Sequence, residues 1–120
     1  MASLSASATL YYDEFDTGFT FSTEVPTGVR IDSITLKQTT SIAGSSKGTW
    51  TLTTGSSGTG TKIGTISNKS ITDLKTTTTF TDDSYNTIRG LKTTYLHTTI
   101  TASQSSTYTL TVNYTTNSTY

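Results

Sequence analysis

The fold of this chain is decided at residues 107–114, T-Y-T-L-T-V-N-Y. Tyr108, Leu110, Val112 and Tyr114 share one parity; Thr107, Thr109, Thr111 and Asn113 share the other. Strict alternation with period two marks a strand with one buried face and one wet face. No other segment alternates as cleanly, so this strand is expected at the centre of the sheet around which the rest packs.

Working back from it, residues 91–102 place Leu96, Thr98 and Ile100 on one face. The turn at 104–106 then makes 91–114 read as a hairpin. Residues 29–38, V-R-I-D-S-I-T-L-K-Q, carry Val29 and Ile31 on one parity and Ile34 and Leu36 on the other. The slip at Asp32-Ser33 predicts a bulge, or a bend where the strand changes sheets. Shorter strands are expected at 49–53, with Trp50 and Leu52 on one face, and at 62–67. A flexible G-S-S-G-T-G turn at 55–60 separates them. Within 70–81, Thr76, Thr78 and Phe80 share a parity. Phe19 and Phe21 mark another alternating run, closed by Val25-Pro26. Residues 85–91 are irregular, with room for one helical turn.

This makes about eight short strands with turn signals roughly every 8–12 residues and no long helix. The fold class is all-β, an antiparallel β-sandwich of jelly-roll type. At 120 residues there is length for one core, so 13–120 reads as a single domain. Residues 1–12 read as an N-terminal arm or an edge strand. Leu4, Leu10 and Tyr12 are its candidate anchors, and the side chains between them are small, so the segment reads either as a strand of its own sandwich or as an arm that orders against a neighbouring copy.

Composition narrows the classes. Thr and Ser number 33 and 17, so 50 of 120 residues carry an aliphatic hydroxyl. Leu, Ile, Val and Phe number only 23, which predicts a thin core completed by partner subunits. Thr is β-branched and fills solvated sheet faces, so the chain reads as folded rather than disordered. There is no cysteine, in keeping with folding in a reducing cytosol or with stability drawn from assembly. The net charge is zero, which argues against nucleic acid as a partner. The charge is nevertheless divided: Asp13, Glu14, Asp16 and Glu24 give residues 1–24 a charge of −4, and the remainder carries +4. An acidic segment that docks on a basic face is one reading and scatter is the other. No signal peptide and no membrane-spanning run is read.

No catalytic constellation emerges. His97 is the single histidine, and it lies opposite Leu96 and Thr98 in parity, as a surface-strand residue does. With 17 serines, a nearby hydroxyl carries no weight. Asp13, Glu14 and Asp16, like Asp82 and Asp83, have oxygen atoms that suit calcium, but no EF-hand spacing is present and solvated turns are the default reading. No cofactor is expected. Trp50, Tyr85, Tyr95 and His97 are the candidates for stacking against a sugar, although Trp50 shares parity with Leu52, which also suits the core. Three glycosylation sequons, at Asn68, Asn113 and Asn117, are what so hydroxyl-rich a chain produces by chance.

The segments 29–36, G-T-W-T-L at 48–52 and S-T-Y-T-L-T-V at 106–112 resemble jelly-roll sandwiches of the galactose-binding-like type. Such domains recur in carbohydrate-binding modules and bacteriophage virion proteins. The Thr/Ser-rich, cysteine-free, neutral chain also resembles capsid decoration proteins, head fibres and tail appendages. The resemblance implies a non-enzymatic structural protein of a bacteriophage virion, made in the host cytoplasm without a signal peptide and present in many copies. It would be a capsid decoration or auxiliary protein whose partners are other copies of itself and other virion proteins. The alternative is a carbohydrate-binding module of a phage fibre or cell-surface adhesin, with a cell-surface glycan as partner.

Overall fold

The computed structural model describes residues 2–101 and 103–116. Met1 of the expected arm, Ala102 at the end of the 91–102 strand and the sequon at 117–119 lie outside the described residues. The strands are β1 (Ala2–Leu10), β2 (Asp16–Thr20), β3 (Val29–Gln38), β4 (Lys47–Thr53), β5 (Lys62–Ser70), β6 (Thr78–Thr79), β7 (Thr81–Asp82), β8 (Thr93–Thr98) and β9 (Ser106–Thr116). They form a four-stranded sheet, β1-β9-β3-β6, and a five-stranded sheet, β2-β8-β4-β5-β7.

The pairs β1·β9, β2·β8, β3·β6 and β4·β5 are those of one long antiparallel ribbon bent between β4 and β5. Rolling that ribbon brings β9 against β3 and β8 against β4 as well. This is jelly-roll topology, with the two-residue β7 added beside β5.

β9 sits at the centre of its sheet, between β1 and β3. Tyr108, Leu110 and Val112 are buried and Tyr114 is half-buried, as the alternation predicts. Across the sandwich they meet Phe19, Trp50, Leu52 and Leu96 in one continuous core. The Trp50 and Tyr108 rings approach to 5.7 Å between centroids at a tilt of 54°, an attractive edge-on geometry. Both polar tips are satisfied. Trp50 Nε1–H donates to the Lys69 carbonyl at 3.0 Å, and the Ser106 hydroxyl donates to Tyr108 Oη at 3.0 Å.

The slip in β3 is a bulge. Register shifts between Ile31 and Ser33, leaving Asp32 as the extra residue opposite β9. Its carboxylate accepts from the Thr115 hydroxyl at 2.5 Å and from Arg30 Nε–H at 2.9 Å. β3 remains within one sheet. The sheet crossing falls instead at Phe80, between β6 on one sheet and β7 on the other. Phe80 is buried and its N–H donates to the Ile34 carbonyl at 2.9 Å.

One expectation is corrected here. Residues 91–114 are not a hairpin, because β8 and β9 belong to opposite sheets and the turn between them carries the chain across the sandwich. The N-terminal segment forms an edge strand: β1 pairs with β9 from Ala2↔Tyr114 to Leu10↔Ser106 without a break. Leu10 is buried and Leu4 half-buried, but Tyr12 lies beyond the strand and is exposed.

Candidate functional site

Two of the four residues expected to meet a sugar do not reach the surface. Trp50 fills the core because its neighbours in β4 alternate inward with it. Tyr85 opens a 3₁₀ turn (Tyr85–Ile88) whose apolar residues Tyr85 and Ile88 both turn inward. Its hydroxyl donates to the Phe80 carbonyl, and burial pushes its pKa above the usual 10.0. Neither ring has a face for a ligand to stack on.

Tyr95 and His97 do lie on the outer face of the five-stranded sheet, in β8. Asp16, His97 and Thr51 stand side by side across β2, β8 and β4, and Gly18, Tyr95 and Thr53 form the next row. The Tyr95 ring covers Gly18, where a Cβ would come within 3.3 Å of it. His97 Nδ1–H donates to Asp16 Oδ1 at 2.7 Å, with both side chains a little over one-third exposed. The β4–β5 connection folds onto this face, so Thr53 is buried although it points outward. Gly58 packs against His97, its missing Cβ 3.6 Å from the ring's Cγ. The carboxylate fixes one imidazole tautomer, as in a hydrolytic triad. The residue laid on the ring has no side chain to act as a nucleophile. The pair ties the short β2 to β8 and holds the connection in place.

In the loop between β1 and β2, sequence reasoning weighed Tyr12 as an arm anchor and the acidic residues as calcium oxygens, and passed over Tyr11 and Phe15. Tyr11, Tyr12 and Phe15 are 60%, 63% and 44% exposed, and among the described residues they are the large apolar side chains that stand out from the surface. Asp13 and Glu14 lie between them in a turn where Glu14 N–H donates to the Tyr11 carbonyl at 3.1 Å. Asp13 adopts φ +65°. The signal was present in Y-Y-D-E-F-D: three carboxylates in six residues hold the aromatic side chains beside them at the surface.

The outer face of the four-stranded sheet is a hydroxyl surface. Ser5–Thr111, Ser7–Thr109 and Thr9–Thr107 pair across β1 and β9 at 2.9, 3.3 and 3.3 Å. Asn113 of the second sequon is half-buried in β9 and donates to Ser33 Oγ at 3.0 Å.

The Asp82–Asp83 turn engages its carboxylates with neighbouring donors. Asp82 Oδ1 accepts from Tyr85 N–H at 2.8 Å, and Asp83 Oδ2 from the Thr65 hydroxyl at 2.6 Å. Among the described residues no three His, Asp or Glu side chains come together as a metal cage would require. No family model matches the chain, and no curated protein matches it.

Proposed function

We propose that the chain is a non-enzymatic structural protein of a bacteriophage particle, a decoration or auxiliary protein present in many copies on the capsid. The observation that carries this reading is β1: a nine-residue, uncharged strand at the edge of a jelly-roll sheet, clad on its outer side in hydroxyls. Such an edge favours pairing with another chain. Jelly rolls build viral coats and lectins alike, so the fold enters only as an analogy. The Thr/Ser-rich, cysteine-free, neutral composition supports the virion side of that analogy.

A second reading has its own observation. Tyr11, Tyr12 and Phe15, with Asp13 and Glu14 among them, are the pairing of exposed rings and hydrogen-bond acceptors that holds a pyranose. This would make the chain a glycan-binding module, through the β1–β2 loop rather than through Trp50 or Tyr85.

Light scattering of the purified chain over a concentration series, run beside a glycan array, separates the two. Self-association with a blank array supports the structural reading. A monomer that binds an array sugar, and loses it on Tyr12→Ala, overturns that reading in favour of the second.

A further inference from the structure

Of the four sheet edges, three are short. β6 and β7 have two residues each, and β2 has five and contains Gly18. The fourth, β1, has nine residues, A-S-L-S-A-S-A-T-L, with no Lys, no Pro and no bulge. Proteins ordinarily blunt a long edge with one of those devices.

The direction of its backbone groups follows from β9. The Thr107 carbonyl accepts from Thr39 N–H on the β3 side, at 2.8 Å. Thr107 stands opposite Thr9, so Thr9 turns its own N–H and C=O away from β9. By alternation Ser7, Ser5 and Ser3 do the same. The Thr9 carbonyl accepts from the Thr17 hydroxyl at 2.8 Å, in keeping with that direction. Among the described residues β1 pairs with β9 alone. Its outer edge therefore presents the donors and acceptors of Ser3, Ser5 and Ser7 in a straight row that ends at Thr9, whose carbonyl keeps one lone pair beside the Thr17 bond.

The sequence of this edge reads nearly the same in both directions. About Ser7, L-S-A-S-A-T-L at 4–10 is a palindrome apart from the exchange of Ser for Thr. We infer that β1 pairs antiparallel with β1 of a second copy of this chain, on a two-fold axis through Ser7. Leu4 then meets the partner's Leu10, Ser5 the partner's Thr9, Ala6 the partner's Ala8 and Ser7 the partner's Ser7. Facing positions have the same parity, so core-facing residues meet core-facing residues and hydroxyls meet hydroxyls. The outward-directed groups of Ser5, Ser7 and Thr9 fall opposite one another, as a hydrogen-bonded antiparallel ladder requires. Leu4, half-buried at the rim of the core, is covered by an apolar side chain. The hydroxyl rows continue across the joint, Thr109–Ser7 in one copy meeting the same row in the other. The product is one eight-stranded sheet with an isologous interface. This deepens the structural reading above by naming the contact between copies.

The chain has no cysteine, so a single introduced thiol reports the register. Across the axis the two position-7 Cα atoms would lie about 5.5 Å apart, within disulfide range. Two position-5 Cα atoms would lie roughly 13 Å apart along the strands, out of range. Ser7→Cys under mild oxidant is expected to give a covalent dimer on a non-reducing gel, and Ser5→Cys a monomer. Ser7→Lys sets two ammonium groups face to face at an exposed position and is expected to weaken dimerisation at least tenfold, with an unchanged circular dichroism spectrum. Equal cross-linking at positions 5 and 7 overturns the register. A chain that light scattering shows to be multimeric, with no Ser7→Cys dimer, overturns β1 pairing and leaves the structural reading standing. A monomer at every concentration that still binds preassembled phage capsids also overturns β1 pairing alone. A monomer that binds no capsid removes both readings.

Discussion

Replacing Thr94 by valine should stabilise this protein. Thr94 and Thr98 lie on β8, point the same way, and are both fully buried. They differ in one respect. Thr98 Oγ1 accepts a hydrogen bond from Ile100 N–H at 3.3 Å, whereas Thr94 Oγ1 has no hydrogen-bond partner among the described residues. A hydroxyl taken out of water without a partner costs about 1–3 kcal/mol on mutational scales. Valine keeps the branched shape and puts a methyl where the hydroxyl was, so the exchange removes that cost and opens no cavity. A gain of about 1.5 kcal/mol is the central expectation. For 120 residues the unfolding entropy is about 0.25 kcal/mol/K, from about 2.1 cal/mol/K per residue, so Tm rises by about 6 °C. Calorimetry and urea unfolding measure both quantities, and the urea m-value should not change. Thr98→Val is the matched control. It strands the Ile100 N–H and should cost about 0.5–1 kcal/mol. If Thr94→Val is destabilising to the same degree as Thr98→Val, the Thr94 hydroxyl has a partner in solution and the reasoning is refuted.

Gln38 is a buried amide with four hydrogen bonds: Nε2 donates to the Ile42 and Ile71 carbonyls, and Oε1 accepts from the Thr40 hydroxyl and Ile42 N–H. Gln38→Leu should cost on the order of 4 kcal/mol in urea unfolding, at roughly 1 kcal/mol for each bond lost or stranded. Gly60 holds φ +78°, and a Cβ there would lie 2.3 Å from Thr54 Oγ1, whereas at Gly28 nothing stands within 4 Å. Gly60→Ala should therefore lower Tm by several degrees and Gly28→Ala should leave it within about 2 °C. The backbone N–H of Ser70 holds the Asp73 carboxyl below the usual 3.8, and the Thr115 hydroxyl does the same for Asp32. A carboxyl depressed in the folded state contributes stability that is complete above the unfolded value and is lost as pH falls through the folded one. Acid unfolding followed by Trp50 fluorescence should therefore steepen below the usual carboxylate range, and Asp73→Asn should flatten that limb.

How far the sequence can be read depends on what each residue type distinguishes. The alternation at 107–114 is apolar against Thr, and burial separates those two sharply, so β9 and its central place were legible. The slip at Asp32 was legible for the same reason, although parity alone fits a bulge and a bend between sheets alike. The sheet crossings were not. The turn at 104–106 looks the same whether it returns the chain to its own sheet or carries it to the facing one. Phe80 turns the chain between two dipeptide strands, too short for any period to register. Thr is the deeper difficulty. It lines the inner face at Thr94 and Thr98 and the outer face at Thr107 and Thr109, so in this chain a hydroxyl does not mark a side. The candidate site suffered from the same ambiguity. Trp50 could be placed in the core by its parity with Leu52, but Tyr85 sits in a 3₁₀ turn, where parity has no meaning. The Y-Y-D-E-F-D loop was visible through its carboxylates and Tyr12, but no parity in it set its aromatic side chains apart as a surface group.

The palindrome at 4–10 stands in plain view in the sequence, yet it has no consequence for a strand inside a sheet, where both neighbours belong to the same chain. Topology makes it matter. Rolling the ribbon leaves the first strand with β9 on one side and an open row of backbone groups on the other. A segment that is weak as a core strand, with Ala and Ser where Leu and Val would bury more, is for that reason well suited to meet its own copy. Small side chains let two edges approach without a clash, and matched parity lets both faces continue.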